Sequence, residues 1–344
     1  MRIALDVMGG DHAPDAILDG ALDALPLLND DDRLVLIGDQ QIIQEVIVER
    51  GLSHDPHLII EPTTEVIAMD ETPVEGIRAK PESSITRMGW LGSHRAGDRQ
   101  CDIIISAGNT GACVAAAQMF MRRLKGVHRP GIAVTMPTFF GPVVVCDVGA
   151  NIAPKPHHLH QYGHMAGIFA RDIHGIENPR VAILSVGGEE GKGTGLVKET
   201  SRLMRADPGL NYVGHAEGRD LFSGKADVVV TEGFTGNVVL KLAEGLAAGL
   251  FKTIAHEIFE TDPELALKFE PVVKAIYAKH DYHEFGGAPL LGVNGNCVIC
   301  HGSSEARTIK AAIRNSLSYM RHGVNQKIVQ TLQTASQYVG EVTE

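Results

Sequence analysis

Short apolar runs, each closed by a Gly-rich turn and followed by a stretch of helical period, repeat along the chain. Residues 2–7 meet Met8-Gly9-Gly10-Asp11, and residues 16–28 read as the helix that follows. Residues 33–37 end at Gly38-Asp39 before a helix over 40–49, and residues 102–106 meet Ala107-Gly108-Asn109-Thr110-Gly111 before an Ala-rich helix reaching Arg123. Residues 180–186 lead through a glycine-rich turn (187–193) to a helix ending near Arg205, and residues 226–231 lead through 232–237 to another. Strands alternating with helices predict βαβ units and a mostly parallel sheet covered on both faces. Runs 132–135 and 143–146 are too close for a parallel crossover, with two prolines and a glycine between them, so they are expected to pair antiparallel.

Later in the chain the period changes. Leu246, Leu250, Ile254 and Ile258 recur every four residues, and Leu265, Phe269, Val272, Val273 and Ile276 form a second helical stripe. Thr261-Asp262-Pro263-Glu264 between them reads as an N-cap with proline in the first turn. The expectation is one α/β domain over 1–344 with a helical hairpin inserted at about 246–280. Its apolar stripes suit packing on the body or a partner subunit, or contact with a membrane surface or carrier protein.

Composition narrows the function. A formal net charge of −11 argues against a nucleic-acid binder, although a local basic patch for an acidic partner is compatible with it. The opening MRIALDVMGGDHAP has neither the apolar core nor the cleavage site of a secretory signal, and no stretch is apolar enough to span a membrane. Five cysteines, an odd number in a long chain, do not suggest a disulfide framework. A cytoplasmic protein is expected.

The Gly-rich turns follow strand ends, which in a doubly wound sheet are expected to share one edge where ligands bind. Glycine permits close backbone approach, and the next helix offers free N–H groups to an anion. Neither a Walker A sequence nor a GxGxxG fingerprint is present, so phosphate fits better than a nucleotide. Lys192, between two glycines, reads as a phosphate-binding cation or as a solvated loop charge. Asn237 reads as a plain N-cap or as an amide that donates to a developing oxyanion. Glu189 and Glu190 are expected to orient Lys192 or cap the helix, and Asp6 and Asp11 to position lysine or the backbone loops. Without a GxSxG elbow or a supported cysteine, direct transfer to a second substrate is expected. Cys297-Val298-Ile299-Cys300-His301 imitates a haem attachment site, and His280, His283, Cys297 and Cys300 imitate a zinc site; neither metal is expected. His160 and His164 read as part of a polar helix face rather than a metal site.

Seven stretches in order make a resemblance: ALDVMGGD from Ala4, SAGNTGA from Ser106, DVGAN from Asp147, EEGKG from Glu189, GFTGNVVLK from Gly233, GGAPLLG from Gly286 and HGSS from His301. Over residues 1 to about 320 the chain resembles the acyl-ACP:phosphate acyltransferase family (PlsX). The resemblance implies a homodimeric three-layer α/β/α fold, like isopropylmalate dehydrogenases and phosphate acetyltransferases, with a protruding helical hairpin that touches membrane. It implies transfer of an acyl group from acyl carrier protein to phosphate, without cofactor or metal. The acyl-phosphate product would pass to a membrane glycerol-phosphate acyltransferase. The family's catalytic lysine and asparagine fall on Lys192 and Asn237. Phosphate and substrate contacts are expected from Asp6, Gly9, Gly10, Asp11, Asn109, Thr110, Gly111, Asn151, Glu189, Glu190, Gly236, Lys241 and His301. Two departures stand out: Ala153 replaces an aspartate usual after the GAN motif, and the Cys297/Cys300 pair is not a family feature. A coenzyme-A-dependent phosphate acetyl- or butyryltransferase is the alternative enzyme. A β-decarboxylating dehydrogenase lacks its aspartate and arginine sets, and a membrane scaffold would need only the hairpin.

Overall fold

A computed structural model describes residues 1–261, 263–280 and 285–342. Its strands are β1 (Arg2–Asp6), β2 (Arg33–Gly38), β3 (Leu58–Pro62), β4 (Ile103–Ser106), β5 (Gly131–Thr138), β6 (Gly141–Cys146), β7 (Val181–Leu184), β8 (Tyr212–Ala216), β9 (Val228–Val230), β10 (Ala288–Leu291) and β11 (Asn296–Ile299). The helices are α1 (Asp15–Asp23), α2 (Gln40–Glu49), α3 (Pro73–Ala79), α4 (Ser84–Leu91), α5 (Thr110–Ala116), α6 (Pro156–His174), α7 (Gly195–Ala206), α8 (Gly233–Thr261), α9 (Pro263–His280), α10 (Ala306–Arg321) and α11 (Val324–Val342). All eleven strands join one sheet in the order β3-β2-β1-β4-β11-β10-β5-β6-β9-β7-β8.

Period-two burial explains the layers. On β1, Ala4 packs with Ile85, Met88 and Ala112 on one face, while Ile3 and Leu5 pack with Ile17, Ile43 and Ile309 on the other. A third cluster joins β6, β7 and β9 to Leu159, Tyr162 and Met165 of α6 and Ile328 of α11. Helices therefore cover both faces, as the alternation of elements predicts, and 131–138 with 141–146 is the expected antiparallel pair.

The strand directions correct one expectation. β3, β2, β1, β4 and β11 run parallel, and β9, β7 and β8 run parallel to β6. Between these blocks β10 is antiparallel to both neighbours, β11 and β5, and β5 is antiparallel to β6. Three reversals leave the two blocks pointing opposite ways. The turns after β1, β4 and β11 thus approach from one direction and those after β6, β7 and β9 from the other. The register sets Ile299 opposite Ala288, Leu290 opposite Ile132 and Cys146 opposite Ala133, so the two sets of strand ends stand level and face one another across the middle of the sheet.

The hairpin is formed by α8 and α9. Beyond its first turns α8 leaves apolar side chains in solvent, Leu246 at 67% exposure and Leu250 at 57% among them, and Leu267, Phe269 and Val272 of α9 are exposed as well. Asp262 of the expected cap lies outside the described residues. No helix among the described residues is long and apolar enough to cross a membrane.

Candidate active site

The first block's turns are built around buried Asp6. Its carboxylate accepts hydrogen bonds from the Met8 N–H (3.0 Å) and the Ser106 hydroxyl (2.7 Å), and Ser106 Oγ in turn accepts from the Gly108 N–H (2.9 Å). Burial nevertheless pushes the Asp6 carboxyl above its ordinary range. Gly10 turns with φ +117°, a conformation open to glycine, and the next N–H, of Asp11, donates to the Gly302 carbonyl at 2.7 Å. Gly9 lies against Gly108. Asp6, Gly9, Gly10 and Asp11 are thus brought together with the 107–111 and 301–304 turns, and Asp6 positions loops rather than lysine.

A second buried carboxylate braces the other block. Asp147 accepts from five N–H donors: Ile132, Gly149, Ala150 and Asn151 of the backbone and the Asn151 amide. Asn151 also donates to the Pro130 carbonyl at 2.6 Å and to the Tyr162 hydroxyl at 2.9 Å, so its amide is committed to holding this turn. The turn carries α8: the Gly233 N–H donates to the Asn151 carbonyl at 2.8 Å, and a Cβ on Gly236 would stand 2.0 Å from the Asp147 carbonyl oxygen. Glu232, not Asn237, caps the helix, accepting from the Phe234 and Thr235 N–H groups at 2.7 and 2.9 Å. Asn237 sits one turn inside α8, and the N-cap reading fails because the capping position was already filled.

Asn109 and Gly111 are likewise structural. The Asn109 amide donates to the carbonyls of Ala68, Met69 and Glu71, its oxygen caps α5, and Gly111 packs on Pro73. Glu190 pairs with Arg205, and Thr194 caps α7, so neither glutamate caps that helix. Lys192 stands exposed in the loop after β7, its backbone N–H on the Glu189 carbonyl at 3.0 Å. Its ammonium meets no carboxylate among the described residues.

From its base α8 crosses toward the first block. Lys241 Nζ lies 3.4 Å from His301 Nε2, and the two helix–turn surfaces enclose a cavity of about 130 Å³. Thr110, Asn237, Glu244, His301, Ser304 and Thr308 form its polar side; Ile132, Val134, Val148, Leu240, Ala288 and Ile299 form the apolar side. Thr110, Asn237 and His301 are the expected residues brought together here; Lys192, Glu189 and Glu190 do not line it. Three polar lining residues, Ser304, Glu244 and Thr308, escaped sequence reasoning. Ser304, in the quoted HGSS stretch, is 1% exposed with its hydroxyl unpartnered among the described residues. Glu244 lies seven residues after Asn237, two helical turns along the same face. Burial pushes its carboxyl up, against the pull of His301 and Lys241.

The cysteine look-alikes come apart. Cys297 packs with Ile104 and Ile132, Cys300 with Ile105 and Ala107 on the opposite face, and His283 lies outside the described residues. His160 and His164 are buried, not on an exposed polar face: each Nε2 lies 2.7 Å from Asp207 Oδ2.

A sequence profile described as "Fatty acid synthesis protein" matches residues 1–327. The chain belongs to this family. Relatives within it include the phosphate acyltransferase of Heliobacterium modesticaldum, 42% identical with 97% of each chain covered. The phosphate acyltransferase of Nitratidesulfovibrio vulgaris is 41% identical over 96% of this chain and 94% of its own. Among solved structures, a phosphotransacetylase from Streptococcus pyogenes superposes with a TM-score of 0.60 at 16% identity, covering 93% of this chain and 94% of that one. The EutD phosphotransacetylase from Staphylococcus aureus gives 0.54 at 14% identity, covering 97% and 94%. The family thus shares its α/β fold with phosphotransacetylases.

Proposed function

We propose that the chain transfers a fatty acyl group from acyl carrier protein to inorganic phosphate, yielding acyl-phosphate for phosphatidic acid synthesis by a membrane glycerol-phosphate acyltransferase. The observation that carries this reading is the cavity between α8 and the 301–304 turn: one side is apolar enough for an acyl chain, the other supplies Asn237, His301 and Ser304 to a thioester. The chain acts as one unit with its hairpin, as a homodimer in the cytoplasm, and the hairpin's exposed leucines suit peripheral membrane contact.

Phosphate, dianionic near neutral pH, needs no side-chain nucleophile. One of its oxygens attacks the thioester carbon, the carbonyl oxygen becomes anionic, and collapse breaks the C–S bond to expel the carrier thiolate. The Asn237 amide donates to that oxygen, and Lys192 offsets the phosphate charge from the loop after β7, the neighbour of β9 from which α8 springs. Asp6, Asp11, Gly9, Gly10 and Thr110 shape the facing turns, and Lys241 holds His301.

The test is phosphate-dependent release of carrier thiol from acyl-carrier protein. Lys192→Ala is expected to lower kcat/KM by about 10²–10³-fold and to raise the KM for phosphate. Asn237→Ala is expected to lower kcat with little change in that KM. More than half the activity remaining in Lys192→Ala, ping-pong kinetics, or a preference for acyl-coenzyme A as donor would overturn the reading.

A further inference from the structure

Many surface arginines of this acidic chain are answered by a carboxylate: Arg50 by Asp19, Arg87 by Glu82, Arg99 by Glu61, Arg180 by Asp227, Arg202 by Glu199, Arg205 by Glu190. One segment gathers several cations without such partners. In Arg122-Arg123-Leu124-Lys125-Gly126-Val127-His128-Arg129, Leu124 and Val127 are buried and anchor the loop, while Arg122, Arg123, Lys125, His128 and Arg129 are exposed. None of the four cations has a carboxylate within ion-pair distance among the described residues. Their neighbours are neutral: Gln161 bonds the Gly126 carbonyl (2.8 Å) and the His128 N–H (2.9 Å), and the Asn294 N–H donates to the Arg122 carbonyl (3.0 Å).

The cluster is also built, not merely exposed. Arg122 is the one described non-glycine residue with a positive φ, +70°, which turns the chain so that Arg122 and Arg123 line one open groove with Arg129. That groove measures about 630 Å³. Lys155 extends the positive surface, next to the His128 and His157 rings, whose centroids are 4.9 Å apart. Arg129 precedes the cavity-lining Ile132 by three residues, at most about 10 Å of extended chain. Pro130 between them is held by Asn151, and Ile132 by Asp147, on whose carbonyl Gly236 and the base of α8 rest.

We infer that Arg122, Arg123, Lys125 and Arg129 form the docking surface for the acidic acyl carrier protein, placing its thioester-bearing arm at the cavity between α8 and the 301–304 turn. This rests on the acyl-carrier reading of the donor. Charge complementarity commits the surface to an acidic macromolecule, and its closeness to the cavity commits it to the one that must deliver a substrate there. The groove's unpaired cations keep their attraction because no neighbouring carboxylate quenches it, and the attraction weakens with salt.

The experiment pairs direct binding of acyl carrier protein, followed by fluorescence anisotropy, with turnover of acyl-carrier protein by the full chain. In Lys125→Glu/Arg129→Glu the KM for the carrier and its dissociation constant should rise tenfold or more. kcat and the KM for phosphate should stay within twofold, and the salt dependence of carrier binding should flatten. Arg122→Gly/Lys125→Gln, which relieves the backbone strain while removing charge, should give a smaller rise in the same direction with an unchanged melting temperature. Carrier binding unchanged within twofold in both variants overturns the surface. So does loss of binding to phosphatidylglycerol vesicles with the carrier KM unchanged, which would give the patch to a lipid. Salt-sensitive carrier binding by the wild type without phosphate-dependent thiol release leaves the surface standing and overturns the reaction instead.

Discussion

The two parallel blocks use the same device, a buried aspartate that gathers the N–H groups of a turn, to opposite ends. Around Asp6 the turns after β1, β4 and β11 lean on one another, and the expected ligand groups there, Asn109 and Asp6 above all, are occupied by their own backbone. Around Asp147 the turn supports something beyond itself: it seats α8, which carries Asn237 across to the first block, while the next turn holds Lys192 unpaired. One block makes a wall and the other presents reactive groups to it. Residues that look alike as Gly-rich turns therefore divide into those that hold and those that act.

Substitutions can break that division. The largest expected effect is Gly236→Ala, whose methyl would sit 2.0 Å from the Asp147 carbonyl oxygen. The base of α8 must shift, at a cost of about 3 kcal/mol or more; thermal melting and activity should both fall, and an unchanged melting temperature would mean that α8 is not seated as described. Ser106→Ala leaves the buried Asp6 short of a donor, with an expected loss of about 1–3 kcal/mol in chemical denaturation and little change in the KM for phosphate. Acid should separate the blocks. Burial pulls His158 and His174 of α6, which packs on the second block, down to about 4 from 6.5. Both are neutral in the fold and gain protons on unfolding, so their contribution is present above about pH 6.5 and is lost as the pH falls toward 4. Burial raises both Asp6 and Asp147, one in each block, so they do not favour either side. Hydrogen exchange between these limits should loosen α6 before α1 and α10; simultaneous loosening would contradict the assignment. The smallest effect belongs to Lys192→Ala, whose melting temperature should match the wild type because its ammonium supports nothing in the fold.

Much of this was legible in the chain. Strands β1, β2, β4, β7 and β9 announce themselves as apolar runs ending at glycine, because buried parallel strands need apolar residues on both faces. The edge strands β3 and β8 do not: Leu58-Ile59-Ile60-Glu61-Pro62 and Tyr212-Val213-Gly214-His215-Ala216 are mixed because one side of each has no neighbour. β10 hides in a Gly-Gly-Ala-Pro stretch that reads as a turn, and with it hides the reversal that sets the two blocks' strand ends against each other. α6 reads as polar through its histidines, whose burial depends on Asp207, more than forty residues away. The pairing of Asn237 with His301 was legible as two motifs but not as one cavity, since only the crossing of α8 joins them. Glu232 had the simpler claim to the cap, with Phe234 and Thr235 directly after it. Ser304 and Glu244 left no signal beyond a motif neighbour and a helical repeat.

The placing of β10 and β11 bears on how the protein comes off the ribosome. Residues 288–299 fill the middle of the sheet, between β4 and β5, yet nearly 290 residues must be made before they exist. Until then the nascent chain holds two half-sheets, each with a bare inner edge of buried-type residues: Ile103–Ser106 on one and Gly131–Thr138 on the other. Such edges invite pairing with the wrong strand, and long-range closure of this kind is slow. Synthesis halted before Gly287 should leave an aggregating product. The joining of the two half-sheets waits on a tetrapeptide containing a proline, β10, and on β11 beside it, both made after the strands they lie between.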